Sequence, residues 1–139
     1  MKLFLDTSVL LAAAASARGA SREIFRLAPL NDWMLVTTPY VVAEVLKNLP
    51  EFSFEATSRW VRLRSHLRIM DDVLTLDKPV IFEASKDRPI LFSALAWCDV
   101  LLTLDRKDFG TLLDSQIYGL RVLKPGSFIA SERAAGCLA

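Results

Sequence analysis

The strongest constraint on this chain is its alternation of short apolar runs with longer helical segments. Leu3-Phe4-Leu5, Met34-Leu35-Val36-Thr37, Val100-Leu101-Leu102-Thr103 and Leu120–Leu123 are apolar almost throughout and too short for helices. Runs of this kind read as strands buried on both faces. Leu67–Met70 reads as a further short strand. Between them stand helix signals. Thr7 or Ser8 is placed to cap an Ala/Leu-rich helix, and Ser21 opens a second that ends at Pro29. Thr38 caps a third with Pro39 at its first position, reaching about Leu49. An amphipathic stretch covers Glu55 to Leu67, and Pro79–Ser85, Pro89–Trp97 and Lys107–Leu113 read as further helices. Strands separated by helices predict an α/β fold: a three-layer α/β/α sandwich with a mostly parallel central sheet. With 139 residues the expectation is one domain, residues 1–129, and a flexible tail of small and polar residues, 130–139.

Composition narrows the chemistry. Two cysteines and one histidine, His66, cannot make a structural zinc site, and they leave a Ser-His-Asp or Cys-His catalytic site only if His66 is the base. Cys98 and Cys137 are not placed for a structural disulfide, which points to a reducing compartment. No apolar run has the length of a membrane span, and Asp6 interrupts a signal-peptide pattern, so the expectation is a cytoplasmic protein. Seventeen basic against 16 acidic residues give a net charge of +1, so any nucleic-acid site must be local.

In parallel α/β sheets, ligands gather at the carboxyl ends of the strands. Asp6 directly follows the first strand, and Asp105 follows Val100–Thr103 after Leu104. Glu44 lies in the helix after the second strand, among Val41, Val42, Ala43, Val45 and Leu46, where a charge needs a reason. Asp87 opens the Pro89–Trp97 helix. Each alone reads as a helix cap or a solvated residue. Converging on one sheet edge, the four would repel, and a divalent cation relieves that repulsion. Oxygen-only ligation favours Mg²⁺ or Mn²⁺ over zinc. Asp99 precedes its strand and so belongs to the opposite edge.

At these residues the sequence resembles the PIN-domain family. The blocks are Leu5-Asp6-Thr7-Ser8-Val9-Leu10, Pro39-Tyr40-Val41-Val42-Ala43-Glu44-Val45, Asp87-Arg88-Pro89-Ile90-Leu91 with Ala94-Leu95-Ala96, and Leu102-Thr103-Leu104-Asp105-Arg106-Lys107-Asp108-Phe109. Val122-Leu123-Lys124-Pro125-Gly126-Ser127-Phe128 looks like the family's closing strand and the proline-led segment after it. Each block is weak alone; their order along nearly the whole chain carries the resemblance. It implies a Mg²⁺- or Mn²⁺-dependent endoribonuclease of the VapC-like type, the toxin of a toxin–antitoxin pair. Asp6, Glu44, Asp87 and Asp105 match the acidic quartet, with Asp6 as central metal ligand and Glu44 as a ligand or as the group orienting a water. Thr103 and Thr7 or Ser8 match supporting hydroxyl positions, and Asp108 stands where some members carry a further acid. The mechanism implied is metal-assisted hydrolysis of a phosphodiester with no protein nucleophile.

Lys86, Arg88, Arg106 and Lys107 flank the acids and are expected to hold substrate phosphates. Arg59, Arg62, Arg64, His66 and Arg68 form a second basic stretch, which reads as a solvated face or an acidic partner's surface ahead of phosphate contact. Trp33, Trp60, Phe52, Phe54 and Tyr40 supply apolar surplus, with Trp33 and Trp60 expected in the core. The resemblance further implies an RNA substrate, a small antitoxin partner and a homodimer. The alternative is a degenerate PIN domain that binds RNA or a protein without cleavage. A haloacid-dehalogenase-type phosphatase would need a second acid where Ser8 stands, and a receiver domain would need an acid beside Asp6.

Overall fold

A computed structural model describes residues 1–80, 82 and 84–139. The chain runs β1 (Lys2–Leu5), α1 (Thr7–Ala15), α2 (Ala20–Leu27), β2 (Met34–Thr37), α3 (Pro39–Asn48), α4 (Phe54–Arg64) and β3 (Arg68–Ile69). It continues with α5 (Arg88–Trp97), β4 (Val100–Leu102), α6 (Arg106–Phe109), β5 (Ser115–Ile117), β6 (Leu120–Leu123) and α7 (Pro125–Ala134). The strands form one sheet in the order β3-β2-β1-β4-β6-β5, parallel except for the β5–β6 pair.

β1 and β4 are the centre of the sheet, paired in the register Leu3↔Val100 and Leu5↔Leu102. Leu3, Phe4, Leu5, Val100, Leu101 and Leu102 are all fully buried, as continuous apolar strands covered on both faces must be. The chain builds outward from β1 through β2 to β3, then returns past β1 to start β4. Right-handed crossovers in opposite directions put the α1–α4 helices on one face of the sheet and α5 on the other. Burying Val9, Leu10, Ala13 and Ala14 attaches α1, which also packs on α2, α3 and α4. Trp33 and Trp60 are buried, as expected.

Four sequence expectations need correction. Neither Thr7 nor Ser8 caps α1; Asp6 holds the N-cap position and both hydroxyls are used elsewhere. Pro79–Ser85 forms no helix in its described residues, although the part at residues 81 and 83 lies outside them; a single 3-10 turn, Ser85–Asp87, follows. The helix expected over Lys107–Leu113 ends at Phe109, and an unforeseen strand, β5, follows. Its hairpin turn is Tyr118-Gly119, both at positive φ (48° and 84°) as a two-residue hairpin loop requires. Tyrosine is an unusual residue there, so the turn left no sequence signal. The expected tail is helical through Ala134: α7 buries Phe128, Ile129 and Glu132, and Phe128 meets Trp33 edge-on with centroids 5.0 Å apart. No helix among the described residues is long and apolar enough to cross a membrane.

Candidate metal centre

The centre of the sheet is where the strand order reverses, and that is where a parallel sheet opens a crevice beyond its strand ends. Asp6 leaves β1 and its backbone N–H donates to the Leu102 carbonyl at 3.2 Å, continuing the β1–β4 ladder. Thr103 leaves β4 in the same way, its N–H donating to Leu123 O at 3.1 Å. The two side chains are thereby adjacent. The Thr103 hydroxyl donates to Asp6 Oδ2 and accepts the Asp105 N–H at 3.0 Å. Ser8 Oγ donates to the same Asp6 oxygen at 3.2 Å and accepts the Leu104 N–H at 3.0 Å. Thr7 Oγ1 donates to Glu44 Oε1 at 2.9 Å, joining the start of α1 to α3.

Asp6, Asp87 and Asp105 hold the N-cap positions of α1, α5 and α6. Helix N-termini favour negative charge, so three helix ends help gather the acids. Asp105 is a capping residue in full: its Oδ1 accepts from the N–H groups of Lys107 at 3.0 Å and Asp108 at 2.9 Å. That turn brings Asp108 round to face Asp87. Asp87, Asp105 and Asp108 each offer a carboxylate oxygen, the three lying within 4.8 Å of one another. Asp87 is buried, and its Oδ2 has no hydrogen-bond partner among the described residues.

The electrostatics follow from this crowding. Burial pushes the Asp6 carboxyl up to about 6, against the lowering effect of the Thr103 and Ser8 hydroxyls, and the Asp105 charge adds to the rise. Burial first, then the facing Asp108 carboxyl, pushes Asp87 up to about 8. Asp108 moves the other way, held down by its contact with Asp87 and by Lys86, whose Nζ lies 3.5 Å from Asp108 Oδ2. Lys86 is in turn raised by Asp108 and Asp87. Burial, Glu44 and Asp87 raise Tyr40, keeping its phenol protonated.

A cleft of about 240 Å³ opens over these groups, lined by Asp6, Thr7, Ser8, Leu11, Glu44, Asn48, Lys86, Asp87 and Asp105. The sequence-predicted quartet therefore meets in one place. No protein-family model matches the sequence, and no curated protein matches it. The fold is similar to that in the crystal structure of VapBC2 from Rickettsia felis bound to a DNA fragment from their promoter: TM-score 0.62, 18% identity, 88% of this chain and 97% of that chain. It is also similar to VapC20 of Mycobacterium tuberculosis, a toxin that cleaves the sarcin-ricin loop: TM-score 0.51, 14% identity, 78% of this chain and 94% of that chain. The chain has the PIN-domain fold.

Within this PIN fold the donor set suits a hard divalent cation. The donors are all carboxylate oxygens, and Asp87 carries a buried oxygen with no hydrogen-bond partner among the described residues. Asp108 joins Asp87 and Asp105 in that group although it lies outside the cleft lining. The capping turn of Asp105 is what carries it there. Asp99 lies at the opposite edge, its Oδ2 accepting the Lys2 N–H at 2.8 Å. Among the flanking cations only Lys86 lines the cleft. Arg88 spends its Nε on Phe82 O at 3.1 Å, while Arg106 and Lys107 are exposed outside the lining. Arg59 caps α1 through Nη1 to the Ala14 and Ala15 carbonyls, both at 3.1 Å, so the phosphate reading of that arginine falls away. Arg62 and His66 line a separate groove with Arg22 and Arg26. Asn48 was missed by sequence reasoning; its signal is the one-turn spacing from Glu44, whose carbonyl it binds at 2.8 Å.

Proposed function

We propose that this protein is a divalent-metal-dependent endoribonuclease and the toxin of a toxin–antitoxin pair. The observation that carries the reading is the buried Asp87 carboxyl, with one oxygen unpartnered among the described residues, clustered with Asp105 and Asp108 at the carboxyl end of the central strands. The fold likeness to VapC toxins supports the biological role. Asp87, Asp105 and Asp108 hold the ion, with Asp6 beside them, and Glu44 is either a ligand or the group that orients a water. Mg²⁺ or Mn²⁺ bound there supplies Lewis acidity at the scissile phosphate and lowers the pKa of a water.

The chain's own residues do the rest. Thr103 and Ser8 fix the Asp6 carboxylate through hydrogen bonds to one of its oxygens. Thr7 fixes Glu44 at the cleft wall. Lys86, exposed at the rim and 3.5 Å from Asp108, is placed to meet a substrate phosphate. Arg106 and Lys107 on the same side meet phosphates farther along the strand. The substrate is RNA in the cytoplasm, and a small antitoxin and a second copy of the chain are the protein partners.

The decisive experiment is cleavage of assorted RNAs and single-stranded DNA by purified protein with Mg²⁺ or Mn²⁺, beside Asp6→Asn. Cleavage of RNA that needs the ion and is lost in Asp6→Asn is the expected result. Metal binding without cleavage would instead favour a PIN domain that binds without cutting. Toxicity on expression, relieved by the product of an adjacent small reading frame, tests the biological role.

A further inference from the structure

The segment from residue 70 to residue 84 contains no helix or strand among its described residues, yet it leads directly to Lys86 and Asp87. Something outside the segment must therefore set where Asp87 stands. Near its start it is tied down three times. Trp97 Nε1 donates to Asp71 O at 2.8 Å, Ser93 Oγ accepts the Val73 N–H at 2.8 Å, and the Asp72 carboxylate accepts the Tyr40 N–H at 3.1 Å. That last bond occupies the capping role that Thr38 leaves empty: Thr38 Oγ1 is buried with no partner among the described residues.

Tyr40 also reaches the far end. Its phenol donates to the carbonyl of Lys86, the residue immediately before Asp87. One residue thus grips both ends of the segment, by its backbone N–H at residue 72 and by its hydroxyl at residue 86. Tyr40 stands one turn before Glu44, so both side chains project from one face of α3. The phenol therefore bridges the helix carrying Glu44 and the peptide carrying Asp87. A bond to the carbonyl of the Lys86–Asp87 peptide restricts rotation of that peptide, and with it the direction in which the Asp87 carboxylate points.

We propose that Tyr40 is a positioning residue for the metal centre, acting through the Lys86 carbonyl to hold Asp87 toward Asp105 and Asp108. This rests on the reading that those acids hold a cation. Partners that orient a ligand commonly change metal affinity about 10- to 100-fold when removed. Tyr40→Phe keeps the ring and removes only the hydroxyl.

The test is Mn²⁺ binding by calorimetry to wild type, Tyr40→Phe, Asp87→Asn, the double variant and Asp72→Ala, each melted to check its fold. The expected result is about tenfold weaker binding in Tyr40→Phe, and no further loss when Tyr40→Phe is added to Asp87→Asn. Asp72→Ala, which frees the early end of the segment and the first turn of α3 but leaves the phenol bond to Lys86 in place, is expected to bind within about twofold of wild type. Wild-type affinity in Tyr40→Phe, fully additive losses in the double variant, or an equal loss in Asp72→Ala overturns the proposal while leaving the metal centre standing. A Tyr40→Phe protein without a cooperative melt also overturns it, because the hydroxyl then serves the fold. Wild-type protein that binds no Mn²⁺ overturns the metal centre and this inference together.

Discussion

Thr103 and Asp6, 97 residues apart in sequence, share a hydrogen bond at the crevice between the two central strands. The same Thr103 oxygen accepts the Asp105 N–H, so one hydroxyl ties together two of the acids. Thr103→Val strips both bonds from a fully buried position. The expected cost is about 1–3 kcal/mol of stability, with a loss of Mn²⁺ affinity of about tenfold or more. Thr103→Ser keeps the hydroxyl and is expected to retain most of both. Denaturant melts and Mn²⁺ titrations compare the two; equal behaviour of the valine and serine variants contradicts the bridging role.

Asp105 performs two tasks that substitution separates. Asn caps a helix as well as Asp, so Asp105→Asn is expected to lose cleavage while keeping its melting temperature. Asp105→Ala loses the bonds to the Lys107 and Asp108 N–H groups as well and is expected to be less stable by about 1 kcal/mol. Equal stability of the asparagine and alanine variants would remove the capping role.

Without metal, stability depends on the protons that Asp6 and Asp87 retain. Their folded pKa values, about 6 and about 8, lie above the ordinary value of 3.8. Each contribution is complete below about 4, where both folded and unfolded chains are protonated, and is lost as pH rises through the folded value. Stability in EDTA is therefore expected to fall between about pH 4 and 8, by on the order of 3 kcal/mol for Asp6 alone, most of it by pH 6. Mg²⁺ or Mn²⁺ favours the ionised acids, so its stabilising effect is expected to grow over the same interval. Melts across pH with EDTA or Mg²⁺ check this; a metal-free curve that rises from pH 4 to 8 contradicts it.

The last helix makes a separate prediction. Glu132 is buried and lies 3.6 Å from Arg121 of β6, whose guanidinium also sits over the Phe128 ring. Deleting residues 130–139 removes Glu132 and the end of α7, and is expected to lower stability by about 1–3 kcal/mol. An unchanged melting temperature would restore the flexible-tail reading.

Five parallel strands and the acids that follow two of them, Asp6 and Asp105, were legible in the sequence. A strand buried on both faces must be a continuous apolar run, and Leu3–Leu5 and Val100–Leu102 have that pattern. A charge at the end of such a run, as at Asp6, reads alone as a helix cap and gains meaning from the other acids placed at strand ends. What local pattern does not contain is strand order. Only the adjacency of β1 and β4 makes Thr103 a partner of Asp6. Only the capping turn at Asp105 swings Asp108 toward Asp87.

The sequence by itself determined the α/β class and which acids stand at strand ends, because apolar periodicity is a local property of neighbouring residues. Tertiary structure alone decided that Asp108 joins the cluster, that Arg59 caps α1 and that Tyr40 braces the approach to Asp87. It also placed the β5 strand and the buried end of α7. Each of these rests on groups far apart in the chain meeting across elements. Such meetings depend on how the strands are ordered and the helices packed, which no short window of residues encodes.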